Sequence, residues 1–316
     1  MKKIIAAALL SFSLNSFADN APLWLRFCSI SPDGQTIAFS YKGDLFSVPV
    51  NGGIAKQLTT NPAYDAYPIW SPDGQKIAFA STREGSMDIY LMNKNGGVPK
   101  RLTTNSGSEI PMAFTDNNHV LFSSAIMPTA KSIFFASGTF PQTYEVNIDA
   151  SRPHLYSPIT MCDANVKSNG DILYHDVKGY EDNFRKHHRS PVTRDIWLYS
   201  KGNYTKLTNF DGEDRTPVWG NNTNEYYYLS EEDGTFNVYK RNIDGSGKKQ
   251  LTFHKANPVR FLTVANNGTI CYGYDGEIYT LKDGQQPKKV DITIVTDQID
   301  NDLVRKVRTS GATEIK

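Results

Sequence analysis

The sequence shows almost no charge bias. Its 34 Lys and Arg offset 33 Asp and Glu, for a formal net charge of +1, so bulk electrostatics call for neither nucleic acid nor an anionic membrane as partner. Cysteines are few: Cys28, Cys162 and Cys271 stand in separate stretches without metal-ligand spacing. A disulfide framework would need many more in so long a chain, which leaves buried thiols or a single bridge. No apolar run reaches the ~20 residues of a bilayer-spanning helix. Sustained helical periodicity is missing after the first residues, which makes the architecture all-β. Also missing are a Gly-x-Ser-x-Gly elbow, a His-Glu-x-x-His zinc helix and a phosphate-cradling glycine loop. No catalytic residue, metal ligand or cofactor is therefore assigned, and the chain is expected to act by binding or gating.

The first residues form an export signal. Lys2 and Lys3 precede a short apolar run, Ile4 to Leu14, and Ser16-Phe17-Ala18 ends it as a small-x-small cleavage pattern. Residues 1–18 are expected to be removed by cleavage after Ala18, placing the mature protein in a periplasm. No cysteine follows the cut to carry a lipid, so no membrane insertion is expected after processing.

What the sequence has in plenty is self-similarity. SPDGQTIAFS (31–40) returns as SPDGQKIAFA (71–80). KQLTT (56–60) returns as KRLTT (100–104), TKLTN (205–209) and KQLTF (249–253). Between them stand DLFSV (44–48), DIYLM (88–92), DIWLY (195–199), NVYKR (237–241) and EIYTL (277–281). A period of roughly forty residues fits a four-stranded propeller blade. In the second unit YPIWS (67–71), KIAFAS (76–81), DIYLMN (88–93) and PKRLT (99–103) read as its strands. Pro72-Asp73-Gly74 and Asn95-Gly96-Gly97 are the turns between them.

Six units follow, at about 23–60, 67–104, 111–157, 159–208, 216–253 and 258–292. A small sheet leaves two apolar faces open, and radial packing covers both, so the fold expected over 19–292 is a six-bladed β-propeller of four-stranded antiparallel blades. Too little chain precedes the first unit for an outer strand. KKVDITI (288–294) is therefore expected to complete the last blade, and the ring to close without strand exchange. Residues 293–316 read as a linker or the start of a following domain.

Two insertions fall between second and third strands, on one rim. Gly179 to Arg194 brings Arg185, Lys186, His187, His188, Arg189 and Arg194 together beside Tyr180 and Phe184. This charge could hold a peptide carboxylate or an acidic partner surface through charge-assisted hydrogen bonds, or be a solvated loop. Adjacent His187 and His188 diverge and have no spaced third ligand, so no metal is assigned. Ser123 to Tyr144 is apolar and reads as a docking patch, a lid, or a buried strand at Ile133-Phe134-Phe135. Loops with Tyr64, Asp65 and Tyr67, and with Arg83 and Glu84, are expected on the same rim.

The SPDGxxIAF, DIY and LT motifs resemble the WD-like repeats of the TolB, prolyl oligopeptidase and tricorn protease families. DVKGYEDNFRKHHRSPVTRDIWLYSKGNYTKLT (176–208) is similar to the fourth blade of tricorn's first propeller, and 233–262 to the blade after it. The resemblance implies a non-catalytic propeller of a tricorn-like periplasmic serine protease. Such a propeller guides peptides or docks subunits, and a carboxy-terminal core absent from this chain hydrolyses the peptides. Residues 297–316 resemble the entry into a second propeller. The family's basic pair near the start of blade three has no counterpart in SGSEIPMAF (106–114). The resemblance also leaves open a free-standing, TolB-like periplasmic propeller that binds a protein partner. Peptides, a protein partner, further protease domains and copies of the chain itself are the partners implied.

Overall fold

The computed structural model describes residues 22–125, 141–179, 189–221 and 224–295. Its strands form six blades. Blade one comprises β1 (Arg26–Ile30), β2 (Thr36–Tyr41), β3 (Asp44–Pro49) and β4 (Gly53–Gln57). Blade two comprises β5 (Asp65–Trp70), β6 (Lys76–Glu84), β7 (Ser86–Asn93) and β8 (Lys100–Arg101). Blade three comprises β9 (Glu109–Phe114), β10 (His119–Ser124), β11 (Gln142–Asn147) and β12 (His154–Ser157). Blade four comprises β13 (Cys162–Val166), β14 (Ile172–His175), β15 (Ile196–Ser200) and β16 (Asn203–Lys206). Blade five comprises β17 (Asp214–Trp219), β18 (Glu225–Ser230), β19 (Asn237–Asn242) and β20 (Lys249–Gln250). Blade six comprises β21 (Arg260–Val264), β22 (Ile270–Tyr274), β23 (Glu277–Leu281) and β24 (Lys288–Lys289). Each blade is antiparallel and drawn from consecutive chain. Among the described residues there is no helix, and none long and apolar enough to cross a membrane.

The repeated motifs are hydrogen-bonded units. In the SPDG turns, Ser31 Oγ donates to Asp33 Oδ1 (2.5 Å), which also accepts the Gln35 N–H (3.0 Å), and Ser71 and Gln75 treat Asp73 the same way. Gly34, at φ +72°, takes the left-handed backbone that favours glycine, and a Cβ there would push aside the Asn267 side-chain amide of blade six, 2.4 Å away. The outer-strand threonine meets the start of strand three. Thr59 Oγ1 accepts the Leu45 N–H (2.9 Å) and donates to Asp44 (3.2 Å), and Thr252 serves Val238 and Asn237 alike. Thr103 and Thr208 accept the Ile89 and Ile196 amides. The LT and DIY motifs recur together because each satisfies polar groups the other buries.

Between blades the faces close on one another. Ala78, Ile89 and Leu91 of blade two pack with Phe114, Val120 and Phe122 of blade three, and like clusters fill the other seams. Burying each large apolar side chain contributes roughly 1.5–3 kcal/mol. The aromatic richness is therefore spent chiefly on seams.

The closing seam differs from expectation in one respect. Blade six does supply its own fourth strand, and side chains of blades one and six share a cluster holding Leu25, Cys28, Phe39, Cys271 and Ile278. KKVDITI, however, is not one strand. After Lys288–Lys289 the chain leaves blade six, and β25 (Ile292–Ile294) pairs parallel with β4 at the outer edge of blade one, Ile292 opposite Gly53 and Ile294 opposite Ala55. Val290 and Ile292 are buried over the seam, which a solvent-facing edge of blade six would not allow. Gly53 N–H donates to Asp291 O (2.8 Å). Gly52, at φ +90°, lets Asp291 pass: a Cβ there would meet Asp291 O at 2.4 Å.

Candidate functional site

The six first strands pack in a ring, β1 on β5 and β21, β9 on β5 and β13, β17 on β13 and β21. They enclose a cavity of about 220 Å³ on the axis. A register shift interrupts the pairing of the innermost strand in every blade. In five of them the bulged residue is a non-glycine in the left-handed region: Phe27 (φ 52°), Tyr67 (56°), Asp163 (48°), Thr216 (49°) and Phe261 (58°). The matching place in blade three is Pro111, whose ring forbids positive φ. Bulges re-aim side chains, and such backbones cost about 1–3 kcal/mol each and concentrate at sites that need them. Here they turn the side chains toward the axis.

The result is lopsided. On the side of blades six, one and two, the rings of Phe261, Phe27 and Tyr67 form a continuous wall, with centroids 4.9 and 4.1 Å apart. Burial pushes the Tyr67 phenol above its ordinary range, so it stays a hydrogen-bond donor. Across the axis blades four and five add polar groups to the lining. Asp163 Oδ2 accepts from Thr216 Oγ1 (2.7 Å) and faces buried His175 Nδ1 at 3.6 Å. Arg194 Nη1 lies 3.2 Å from His175 Nε2, and the Thr216 N–H points at Nδ1 (3.4 Å).

The residue before each bulge is nearest the ring mouth on the face where strands two and three connect, fully buried in blade two (Ala66) and exposed in blades one and six (Arg26 and Arg260). Three of these are arginines, from blades one, five and six. Arg215 is committed to buried Glu213 (2.5 Å) and lies over Phe236. Arg26 lies over the Phe27 ring at 5.2 Å, and neither Arg26 nor Arg260 has an ion pair or hydrogen bond among the described residues. Partial burial, then the like charges of Arg215 and Arg26, hold the Arg260 guanidinium below its ordinary range. Two exposed arginines on neighbouring blades, neither in an ion pair among the described residues, above an aromatic wall, make a place for an anion with an apolar body.

Of the residues read from the sequence as the binding loop, Arg189 and Arg194 are described, and they part company. Arg194 turns inward to His175 and the mouth. Arg189 is exposed beside an outer cavity with Lys178, Lys206 and Asp211. Tyr180, Arg185, Lys186, His187 and His188 lie outside the described residues, as do Ile133-Phe134-Phe135, and blade three is complete without the latter. Tyr67 and Asp65 are not in a loop: both belong to β5, and Asp65 is fully buried in an ion pair with Arg83 (2.7 Å). Sequence reasoning missed Arg26 and Arg260. Their signal was the repeated dipeptide Arg26-Phe27 and Arg260-Phe261 at one register of two inner strands. Among the described residues no group of His, Cys, Asp and Glu is placed to hold a metal.

Comparison with known proteins bears on this arrangement. Residues 22–287 match the family described as the Tricorn protease N-terminal beta propeller domain. Tricorn protease homolog 1 of Streptomyces coelicolor is 25% identical over 286 residues, covering 89% of this chain and 26% of the relative. A crystal structure of the tricorn protease superposes with a TM-score of 0.73 at 21% identity, over 88% of this chain and 27% of that one. TolB from Acinetobacter baumannii gives 0.59 at 14% identity, over 82% and 60%. The chain thus spans about a quarter of the length of the tricorn relatives it matches.

Proposed function

This chain belongs to the tricorn protease N-terminal β-propeller family, and from that premise we propose that it is a non-catalytic, exported propeller that takes peptides at its axial mouth on behalf of a protease core lying outside these residues. The observation that carries the reading is the placing of Arg26 and Arg260, which have no ion pair among the described residues, beside the wall of Phe27, Tyr67 and Phe261. A peptide's carboxylate sits between the guanidiniums, and its apolar side chains lie on the rings. The basic residues Arg185, Lys186, His187, His188, Arg189 and Arg194, with Tyr180, add attraction for acidic peptides or a partner surface. Residues 1–18 direct export to the periplasm and are removed after Ala18, and residues 293–316 lead toward the next domain.

The test is a titration of fluorescent apolar peptides, one set with a free carboxy terminus and one amidated. Arg26→Ala with Arg260→Ala is expected to weaken the free-carboxylate set by 10-fold or more, about the 1.4 kcal/mol or more of a charge-assisted pair, and to leave the amidated set unchanged. Arg185→Ala, Lys186→Ala and Arg189→Ala together should weaken both sets only at low salt. Equal binding of the two sets by the native chain would remove the arginine pair from the function.

A further inference from the structure

The seam between first and last blades holds two thiols that the binding reading does not use. Cys28 on β1 and Cys271 on β22 are 2% and 0% exposed, inside one apolar cluster. β1 packs directly on β22. The Cys28 thiol reaches the Phe261 carbonyl at 3.5 Å. Thr263, the register partner of Cys271, accepts the Ile30 amide through its hydroxyl at 3.1 Å, so both bonds tie β1 to β21, the strand paired with β22. Both thiols are free and lie within this one cluster, where the packing of β1 on β22 brings their strands together. Cys162 is the contrast: it lies on blade four, bordering the axial cavity, and burial pushes its thiol up to about 12.

We propose that Cys28 and Cys271 form a disulfide that seals the propeller ring covalently in the exported protein. This rests on the export reading for the compartment alone, and on the seam geometry for the pairing. The oxidant is a disulfide, carried by a small thiol compound or a protein. The thiolate of one cysteine attacks it, breaking its S–S bond, releasing one thiol and forming a mixed disulfide. The second cysteine loses its proton, attacks the mixed bond at the chain's own sulfur, and releases the second thiol. Two protons and two electrons pass from the seam to the oxidant, and one S–S bond is made for one broken.

Burial favours the protonated thiol of Cys271 in the closed ring, and a thiol that is not ionised is a poor nucleophile. The exchange therefore belongs to the last stage of folding, when blade six has yet to dock on blade one. Afterwards the same burial shields the bond from reductant. Cross-linking residues near opposite ends of the propeller removes a large loop entropy from the unfolded chain. Without that bond, closure rests on β25, the seam cluster and the hydrogen bonds between blades one and six.

The experiment uses the full chain with its leader, produced in a bacterium. The protein is denatured and alkylated before and after reduction, then weighed and digested. One label before reduction and three after, with a linked peptide pair carrying Cys28 and Cys271, is the expected result. Reduction should lower the melting temperature by on the order of 10 °C, and Cys162→Ser should change neither the link nor that shift. In parallel, reduced native chain is refolded in oxidised glutathione. Three labels in both preparations, or a link through Cys162, overturns the proposal. A link in the refolded chain together with free thiols and an uncut leader in the cellular one upholds the pair and overturns the export reading.

Discussion

On the face where strands one and two of each blade connect, Asp33 and Asp73 sit in exposed turns. The Ser31 and Ser71 hydroxyls, then the Gln35 and Gln75 amides, hold their carboxyls below the ordinary range. On the opposite face, Asp44, Asp88, Glu109 and Asp214 stand enclosed at or near the starts of their strands, and burial raises all four, Glu109 to about 7 and Asp214 to about 6. The enclosed acids come in pairs across blade seams. Asp65 raises Asp44, Asp88 raises Glu109, and Asp195 raises Asp214. Each pair has a nearby cation: Arg83 on Asp65, Arg101 on Asp88 (both 2.7 Å) and Lys206 on Asp195 (2.9 Å). One repeat thus puts the same functional group to opposite uses. The turn acids help the fold when ionised, while the seam acids oppose it when both members of a pair are ionised.

The two faces should therefore respond to pH in opposite directions, and Glu109 gives the largest handle. Its folded pKa is raised, so its contribution is fully present below about 4.5 and is lost as pH climbs through about 7. A shift of that size corresponds to about 3 kcal/mol lost between pH 4.5 and 8. Glu109→Gln keeps the shape, never ionises, and should abolish that slope, leaving the variant about 3 kcal/mol more stable than the native chain at pH 8 and near parity at pH 4.5. Urea denaturation at the two pH values checks it. A variant less stable at pH 8 would mean that Glu109 is charged in the fold and that the two faces do not differ in kind.

The turn face should instead be sensitive to backbone shape. Gly52→Ala places a methyl group against Asp291 O and forces a left-handed alanine, at about 1–3 kcal/mol. The cost should be the same at pH 5 and pH 8. Hydrogen exchange is expected to show it as early opening of the Gly53 amide, which donates to Asp291, with blade three unaffected. A loss spread over all blades would instead make β25 part of one cooperative unit.

The regular face was legible in the sequence and the other face was not, for physical reasons. A turn announces itself through residues next to one another in the chain, so SPDG revealed both turn and strand spacing. DIY and LT marked strand starts, yet the partner of Asp88 is Glu109, one blade on, in a motif-poor stretch. The latch was hidden because Lys288 to Ile294 alternates like one strand, and nothing local marks the change of neighbour after Lys289. Arg26 and Arg260 stand outside the repeated SPDG, DIY and LT motifs. Only the shared bulge, a backbone event, brings their positions to a common mouth. The basic segment around Arg185 was conspicuous by composition, and composition said nothing of direction: Arg194 turned inward and Arg189 outward.

The smallest expected effect separates the two SPDG turns. Asp33 and Asp73 have depressed folded pKa values, so their contribution is present above about pH 4 and is lost as pH falls through the lower folded value. Both are exposed, so screening keeps the stability cost of Asp→Asn below about 1 kcal/mol at pH 7, with nothing left at pH 2. The turns differ in what lies behind them. The Asp73 amide donates to Asn117 Oδ1 of blade three (3.0 Å), whereas Asn267 Nδ2 of blade six donates to the Asp33 carbonyl at 3.4 Å. Asn117→Ala should therefore add to the loss from Asp73→Asn by less than the sum of the two, since both loosen one turn, and should be additive with Asp33→Asn. A thermal double-mutant cycle reads this directly. Coupling between Asn117 and Asp33 instead would mean that the turn face acts as one rigid collar, with pH sensing left to the seams alone.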